Sequence, residues 1–405
     1  MNRLKQVLLP IYAFLRYNYF RYIKRRQFKS FDVNPDCELS KVSNYDESFF
    51  GYYTLSPENE EGVLTYCANK KQDKVSVVIN KDGLESVITN TSAFNLQQGC
   101  MEQWGYKTSN RLYYNVYNKE KEDYECEVVD VTTNSKINTL SKPIYALSKQ
   151  EDYALSLNFD RLTVMRPDYG YFCKMDYKLP SNDNDGIWKI DVNTGASVLI
   201  ITLQQLIQLN PVSSMKGAMH KVNHIDISPD GKRFMFLHRW VGPQGRYMRL
   251  ITADSQGENL YILNGDRMTS HSYWINNQQI VSFCYTEQFK NSYVIFKDMT
   301  KEISLVSSKL PHYDGHPSSY LGKWLVTDSY PDDSRMSKLI LLNMETDQIY
   351  ILGRFYQPLK YRGPSRIDLH PKWNLTGNSV YFESGHDGKR KLYKLNVSKL
   401  IKNEA

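Results

Sequence analysis

From about residue 50 onward, apolar and polar positions alternate in short runs, as in VSVVIN (75–80), EVVDV (127–131), IWKIDV (187–192), RFMFLH (233–238), IVSFCY (280–285) and LILLNM (339–344). Side chains on a strand point alternately to its two faces, so this spacing reads as half-buried β-strands. Clusters of Pro, Asp, Asn and Gly separate the runs, which predicts tight turns between neighbouring strands.

The strands recur as a unit of about fifty residues. His224 leads IDISPDGKRFMFLH, His271 leads SYWINNQQIVSFCY, His316 leads PSSYLGKWLVTDSY, and His370 leads PKWNLTGNSVYFES, at spacings of 47, 45 and 54. In the first half the same turn follows Tyr52 (YTLSPENEEGVLTYC), Met101 (EQWGYKTSNRLYYNVY) and Tyr153 (ALSLNFDRLTVMR). Each marker is followed by a second hairpin, from KVSVVINKDGLESVI in the first unit to RKLYKLNVSKLI in the last. A lone four-stranded sheet cannot bury both faces, and stacking such sheets around an axis does. The expectation is an all-β, seven-bladed β-propeller over residues 40–405, with an inserted, partly helical loop at about 181–219 where the marker spacing widens to 71.

Composition agrees: aromatics form 13% of the chain, 31 of them Tyr, and long Ala/Leu/Glu-rich stretches are scarce. Six scattered cysteines with no C-x-x-C pair indicate neither a zinc ribbon nor a dense disulfide framework, and fit a reducing compartment. The net charge of +7 is local. Residues 1–31 carry eight Lys/Arg and no acid, while the remaining 374 hold 43 basic and 44 acidic side chains. A chain-wide field for polyanions is therefore absent, and any anion site must be built locally.

The segment 1–30 reads as a short basic helix that Pro10 starts or kinks. Its apolar run, Val7 to Leu15, lacks a following small-residue cleavage site and is about half the ~20 residues a membrane span needs. Peripheral contact with an anionic membrane and packing of the aromatic side chains on the main body both suit it. A cytoplasmic location, at most peripheral to the inner membrane, is the expectation.

All eight histidines fall in the last 186 residues, four of them at equivalent blade positions. Equivalent positions in a propeller converge around the axis, so these imidazoles, with Asp226, Asp314 and Asp368 nearby, suit a divalent metal such as manganese or zinc. Alternatively each histidine is a repeat-encoded structural residue bonding a neighbouring blade. Arg239, Arg246, Arg249 and Arg366 lie in loops or at strand ends beside the histidines, where a guanidinium would pair with a ligand's carboxylate or sulfate. No dinucleotide-binding glycine motif, phosphate loop, serine elbow or RNA-binding sheet signature occurs, so no nucleic-acid partner is expected.

NHIDISPDGKRFMFLHRW, SHSYW, DGHPSSY with LVTDSYPD, and RIDLHPKWNLTGNSVYFESGHDGKRKLYKLN resemble the propeller polysaccharide lyases, that is, the oligogalacturonate and ulvan lyases and their TolB-like relatives. The resemblance covers roughly residues 215–400. It implies β-elimination on a uronate-containing glycan, with His316, His370 and Asp368 holding a metal, His271 as base, and Arg246 or Arg239 as the cation at the reacting centre. His224, His238, Arg249 and Arg366 would then contact the acidic glycan. The first half lacks the histidines that ulvan lyases use, which leaves Tyr169 or Tyr171 as proton donors. Without an export signal, the chain looks like a component of capsule or exopolysaccharide metabolism. A carbohydrate-binding or scaffold propeller without catalysis is the alternative.

Overall fold

The computed structural model describes residues 11–402 apart from 13, 25–28, 72, 266 and 311. Pro10 and much of the basic N-terminal tract lie outside the described residues. Seven antiparallel sheets follow one another along the chain, and together they form a seven-bladed β-propeller. Their innermost strands are Ser48–Phe49, Gln103–Trp104, Ala146–Leu147, Met219–Ile227, Thr269–Trp274, Ser318–Tyr320 and Lys372–Trp373.

The last blade is completed from the other end of the chain. The expected final hairpin, RKLYKLNVSKLI, is one strand, Lys391–Asn396, followed by the helix Ser398–Lys402. The fourth strand of that sheet is Glu38–Lys41, paired residue by residue with Lys391–Asn396. Phe31–Val33 adds a fifth strand to the outer edge of blade six. The sheet system therefore begins before residue 40. Pairing the two chain ends within one sheet closes the ring of blades, with Glu38–Lys41 as the outer strand of the last one.

Blade three departs from the expected repeat. Its innermost strand is led by Tyr145 rather than Tyr153, because Tyr153–Leu157 is the second strand. ALSLNFDRLTVMR does not turn back as a hairpin: Phe159–Met165 is a helix whose first turn is capped by Asn158 accepting from the Arg161 N–H. The insertion is also redistributed. Residues 186–202 form two strands of blade three, and the excursions are 158–185, between its second and third strands, and 203–218, which leads into blade four.

Adjacent blades are tied at the axial end by a recurring clamp. Trp104, Trp274 and Trp373, each three residues past a marker, donate their indole N–H to a carbonyl of the preceding blade, on Pro57 (2.9 Å), Asp226 (3.1 Å) and Ser318 (3.3 Å). The clamp recurs in the blades led by Met101, His271 and His370. Met101, His224 and His370 adopt the left-handed conformation, with φ of 56°, 53° and 45°. Non-glycine residues adopt it at a cost of about 1 kcal/mol or more, which the surrounding packing must sustain.

At the N-terminus, helical residues end in a π-helical turn, Tyr19–Lys24. Tyr17 is buried against Met336 and Tyr356 of blade six, and Arg16 pairs with Asp333 at 2.9 Å. Ile11, Tyr12, Phe14, Leu15, Tyr19, Tyr22 and Ile23 are exposed. Among the described residues no helix is long and apolar enough to cross a membrane.

Candidate active site

His224 and His271 occupy bulges in their strands: two residues on each are skipped in the pairing register, between Asn223 and Asp226 and between Thr269 and Ser272. Bulges re-aim side chains. His316 and His370 stand two residues ahead of their short inner strands. All four rings meet around Tyr52, at centroid distances of 5.4 Å (His224), 6.4 Å (His271), 6.2 Å (His316) and 5.0 Å (His370). His271 and His316 are 4.0 Å apart, and His316 and His370 4.3 Å.

Two aspartates orient the cluster. Asp328, at the end of the second strand of blade six, accepts from His316 Nδ1 at 2.9 Å and from the main-chain N–H groups of His316, Leu369 and His370. It thereby fixes the His316 ring and ties blade six to the segment entering blade seven. Gly315 makes this approach possible, since a Cβ there would stand 2.1 Å from the Asp328 carbonyl oxygen. Asp314 pairs with His271 Nδ1 at 3.0 Å and accepts from Ser270.

Burial works against a charge on His316, but Asp328, with Asp368 and Asp314 behind it, outweighs burial and raises its pKa. Burial and the neighbouring His316 hold His370 well below its ordinary value, and burial with Arg239 does the same for His224. Burial and His316 lower His271, against the pull of Asp314. Three of the four histidines are therefore neutral at neutral pH and present lone pairs.

One ligand atom from each of His316, Asp368 and His370 lies within 4.8 Å of the others. His316 Nε2 and both ring nitrogens of His370 and of His224 are buried with no hydrogen-bond partner. Buried polar atoms without partners are rare, and several converging beside a carboxylate fit a cation held among them. Cys67, Cys100 and Glu102 form a second buried group. There the ligand atoms already satisfy one another, with Cys100 Sγ 3.8 Å from Cys67 Sγ and 3.3 Å from Glu102 Oε2.

A positive half faces this cluster. Arg239 is buried with its Nε unpartnered, and its electrostatic neighbours include Arg166, Tyr169, Tyr52 and Asp314. Arg366 is bound on both sides, to Asp368 at 2.7 Å and to Asp168 at 2.8 Å. Asp168 also pairs with Arg166 at 3.1 Å. The excursion 158–185 therefore reaches across the top of the propeller, and Asp368 is held in place from blade three. Arg366 is thus a positioning residue rather than a free ligand contact.

His238 and Arg249, expected to bind substrate, are engaged elsewhere. His238 shares a hydrogen bond of 3.0 Å with His220, and Arg249 Nε donates to His238 at 3.2 Å. Arg249 also donates to the Asn210 carbonyl at 3.2 Å and to that of Leu206, anchoring the excursion 203–218 to blade four. Arg246 is exposed and lines a cavity with Arg239. Tyr169 joins the cluster, 6.1 Å from Tyr52 and 5.5 Å from His224 between ring centroids. Tyr171 lies apart, stacked on Phe159 and accepting from Asn115. Asp328, Tyr53 and Tyr330 belong to the site without having been singled out in the sequence. The carboxyl end of a strand facing the marker of its own blade was the signal for Asp328.

Solved structures confirm the fold. An oligogalacturonate lyase from Vibrio parahaemolyticus is 15% identical over 91% of this chain and 96% of its own, with a TM-score of 0.63. An oligogalacturonate lyase in complex with manganese is 14% identical over 90% and 96%, with a TM-score of 0.64. The tricorn protease is 9% identical over 90% of this chain and 34% of its own, with a TM-score of 0.53. The sequence matches no family profile and no curated protein.

Proposed function

We propose that the protein is a metal-assisted lyase that cleaves an acidic, uronate-containing poly- or oligosaccharide by β-elimination. The observation that carries this reading is the convergence of unpartnered imidazole nitrogens on His224, His316 and His370 with the Asp368 carboxylate, beside the buried Arg239 guanidinium. The manganese in a structurally similar oligogalacturonate lyase supports it.

His316, Asp368 and His370 would hold a divalent ion such as manganese or zinc. When bound, the ion supplies Lewis-acid neutralisation of the uronate carboxylate, which acidifies the proton on carbon five. Arg239, opposite, stabilises the charge that spreads onto that carboxylate during proton removal. His271, oriented through Nδ1 by Asp314, takes the carbon-five proton on Nε2. The electrons of the C–H bond form the double bond between carbons four and five, and the bond from carbon four to the leaving oxygen breaks. Tyr169, whose hydroxyl is 3.5 Å from that of Tyr52, gives the leaving oxygen its proton.

The burial of the cluster favours a second reading, a glycan-binding or scaffold propeller in which the ion is structural. His316, His370 and Tyr52 are at most 2% exposed. The two readings separate by incubating the protein with manganese and a panel of uronic glycans while following ultraviolet absorbance of unsaturated uronate. Product formation that is abolished in His271→Ala supports the lyase. Bound metal with no product across the panel supports the second reading.

For the N-terminal helix we propose contact with an anionic lipid surface. Its exposed apolar and aromatic side chains, and the eight cations without an acid in residues 1–31, complement such a surface.

A further inference from the structure

A cavity of about 400 Å³ opens between blade four and the excursion from blade three, within the range of small-ligand sites. Arg166, Lys221, Arg239 and Arg246 line it together with Trp240 and Tyr247. The two aromatic rings are stacked, 5.8 Å apart and 15° from parallel. Lys221 and Arg239 are buried, at 4% and 8% exposure. The Lys221 ammonium donates to the Met165 carbonyl at 3.1 Å. Of the four cations lining the cavity, Arg166 pairs with Asp168 at 3.1 Å. Among the described residues, no carboxylate lies within ion-pair distance of Lys221, Arg239 or Arg246.

Leaving charges buried and unpaired is strongly unfavourable, and a fold keeps such an arrangement when a ligand supplies the counter-charge. We infer that this cavity binds a second acidic group of the glycan, a carboxylate or sulfate on the sugar next to the one held at the histidine cluster. The inference rests on the lyase reading for its glycan and adds the requirement that acidic groups stand on consecutive sugars. Arg239 belongs to both places and so sets the register. Lys221 and Arg246 take the second acidic group, and the flat Trp240–Tyr247 face lies alongside the sugar ring. Arg246, expected in the sequence as a catalytic cation, is on this reading a binding residue.

The charge state of Lys221 agrees. Burial first, then Arg239 and Arg166, with Arg246 adding and Asp168 opposing, bring its pKa down to about 7. An anion in the cavity favours the charged form, so binding takes up a proton near neutrality and weakens as pH rises through that value.

The test is calorimetric titration of metal-stripped full-length protein, where no turnover occurs, with a mono-uronate, a di-uronate and a sulfated disaccharide. The di-uronate or the sulfated disaccharide is expected to bind at least about tenfold more tightly than the mono-uronate, corresponding to one charge-assisted contact. Which of the two binds identifies the acidic group. Lys221→Met is expected to erase that difference and its pH dependence, Lys221→Arg to retain the difference without the pH dependence, and both to bind manganese as the parent does. Lys221→Met removes a buried charge, so it is expected to fold at least as stably as the parent. Equal binding of all three sugars, or a difference that survives Lys221→Met, overturns the inference. Because catalysis is not read, a failure of the lyase reading shows separately, as tight di-uronate binding without product in the presence of metal.

Discussion

Asp328 holds His316 by its Nδ1 at 2.9 Å, and the same carboxylate accepts from the main-chain N–H of His370, joining two of the proposed metal ligands through one residue that is not itself a ligand. With Nδ1 engaged, Nε2 is the nitrogen left to coordinate. Asp328→Asn keeps the shape and removes the charge, and outer partners of this kind are worth about 10–100-fold in metal affinity. Titration of the metal-stripped variant with manganese is expected to show a loss of that size. Unchanged affinity would mean that His316 does not bind the metal.

Metal-linked stability distinguishes ligands from bystanders. At a metal concentration of 100 times the dissociation constant, binding stabilises the folded state by about 2.7 kcal/mol. His370→Ala is expected to lose this increment, whereas His238→Ala is expected to keep it. His238→Ala would instead lower the metal-free stability by about 1–3 kcal/mol, since it strips partners from His220 and Arg249. Thermal melts with and without manganese read both quantities, and a metal increment lost in His238→Ala would return that residue to the site.

The blades were legible because each repeats the same strand and turn, and the four histidines because they occur at one position of the repeat. What stayed hidden depends on pairing between distant parts of the chain. Nothing near Glu38–Lys41 shows that it completes a sheet with Lys391–Asn396, and its Ser40–Lys394 contact spans 354 residues. Tyr153 stood in for Tyr145 because ALSLNFDRLTVMR alternates like a strand for its first residues. The Asn158 cap that starts a helix is the local signal that corrects it. His238 and Arg249 read as site residues by their nearness in sequence to His224, yet the strand carries them away from the axis, where the excursion 203–218 needs their hydrogen bonds.

Arg390 offers a test of how blade seven is locked. It is buried, pairs with Glu383 at 2.6 Å, and donates to the carbonyls of Leu96 and Ser365. Arg390→Met leaves Glu383 buried without its partner, which is expected to cost about 3–5 kcal/mol. Burial already raises Glu383 to about 7, against the pull of Arg390 and Lys372, and the variant raises it further. Above pH 7 the folded parent has released the Glu383 proton, whereas the folded variant still holds it and its unfolded chain does not. Unfolding releases it, so stability falls as pH rises. Urea midpoints are expected to show a larger deficit relative to the parent at pH 8 than at pH 6. A deficit that grows toward acid would contradict this account.

The N-terminal helix makes the membrane proposal testable without touching the propeller. Tyr17 and Arg16 face blade six, while Leu15, Tyr22 and Ile23 are more than 60% exposed. Each Lys or Arg close to an anionic surface contributes about 1 kcal/mol, which fades as salt shortens the screening length. The full-length chain is therefore expected to sediment with phosphatidylserine-containing vesicles at low salt, and to dissociate as salt is raised. It should remain in solution with purely zwitterionic vesicles. Leu15→Asp combined with Ile23→Asp should abolish sedimentation while leaving the melting temperature unchanged, because neither side chain is buried on the propeller. Sedimentation that persists in the double variant, or is indifferent to lipid charge, would rule out this face of the helix as the lipid contact.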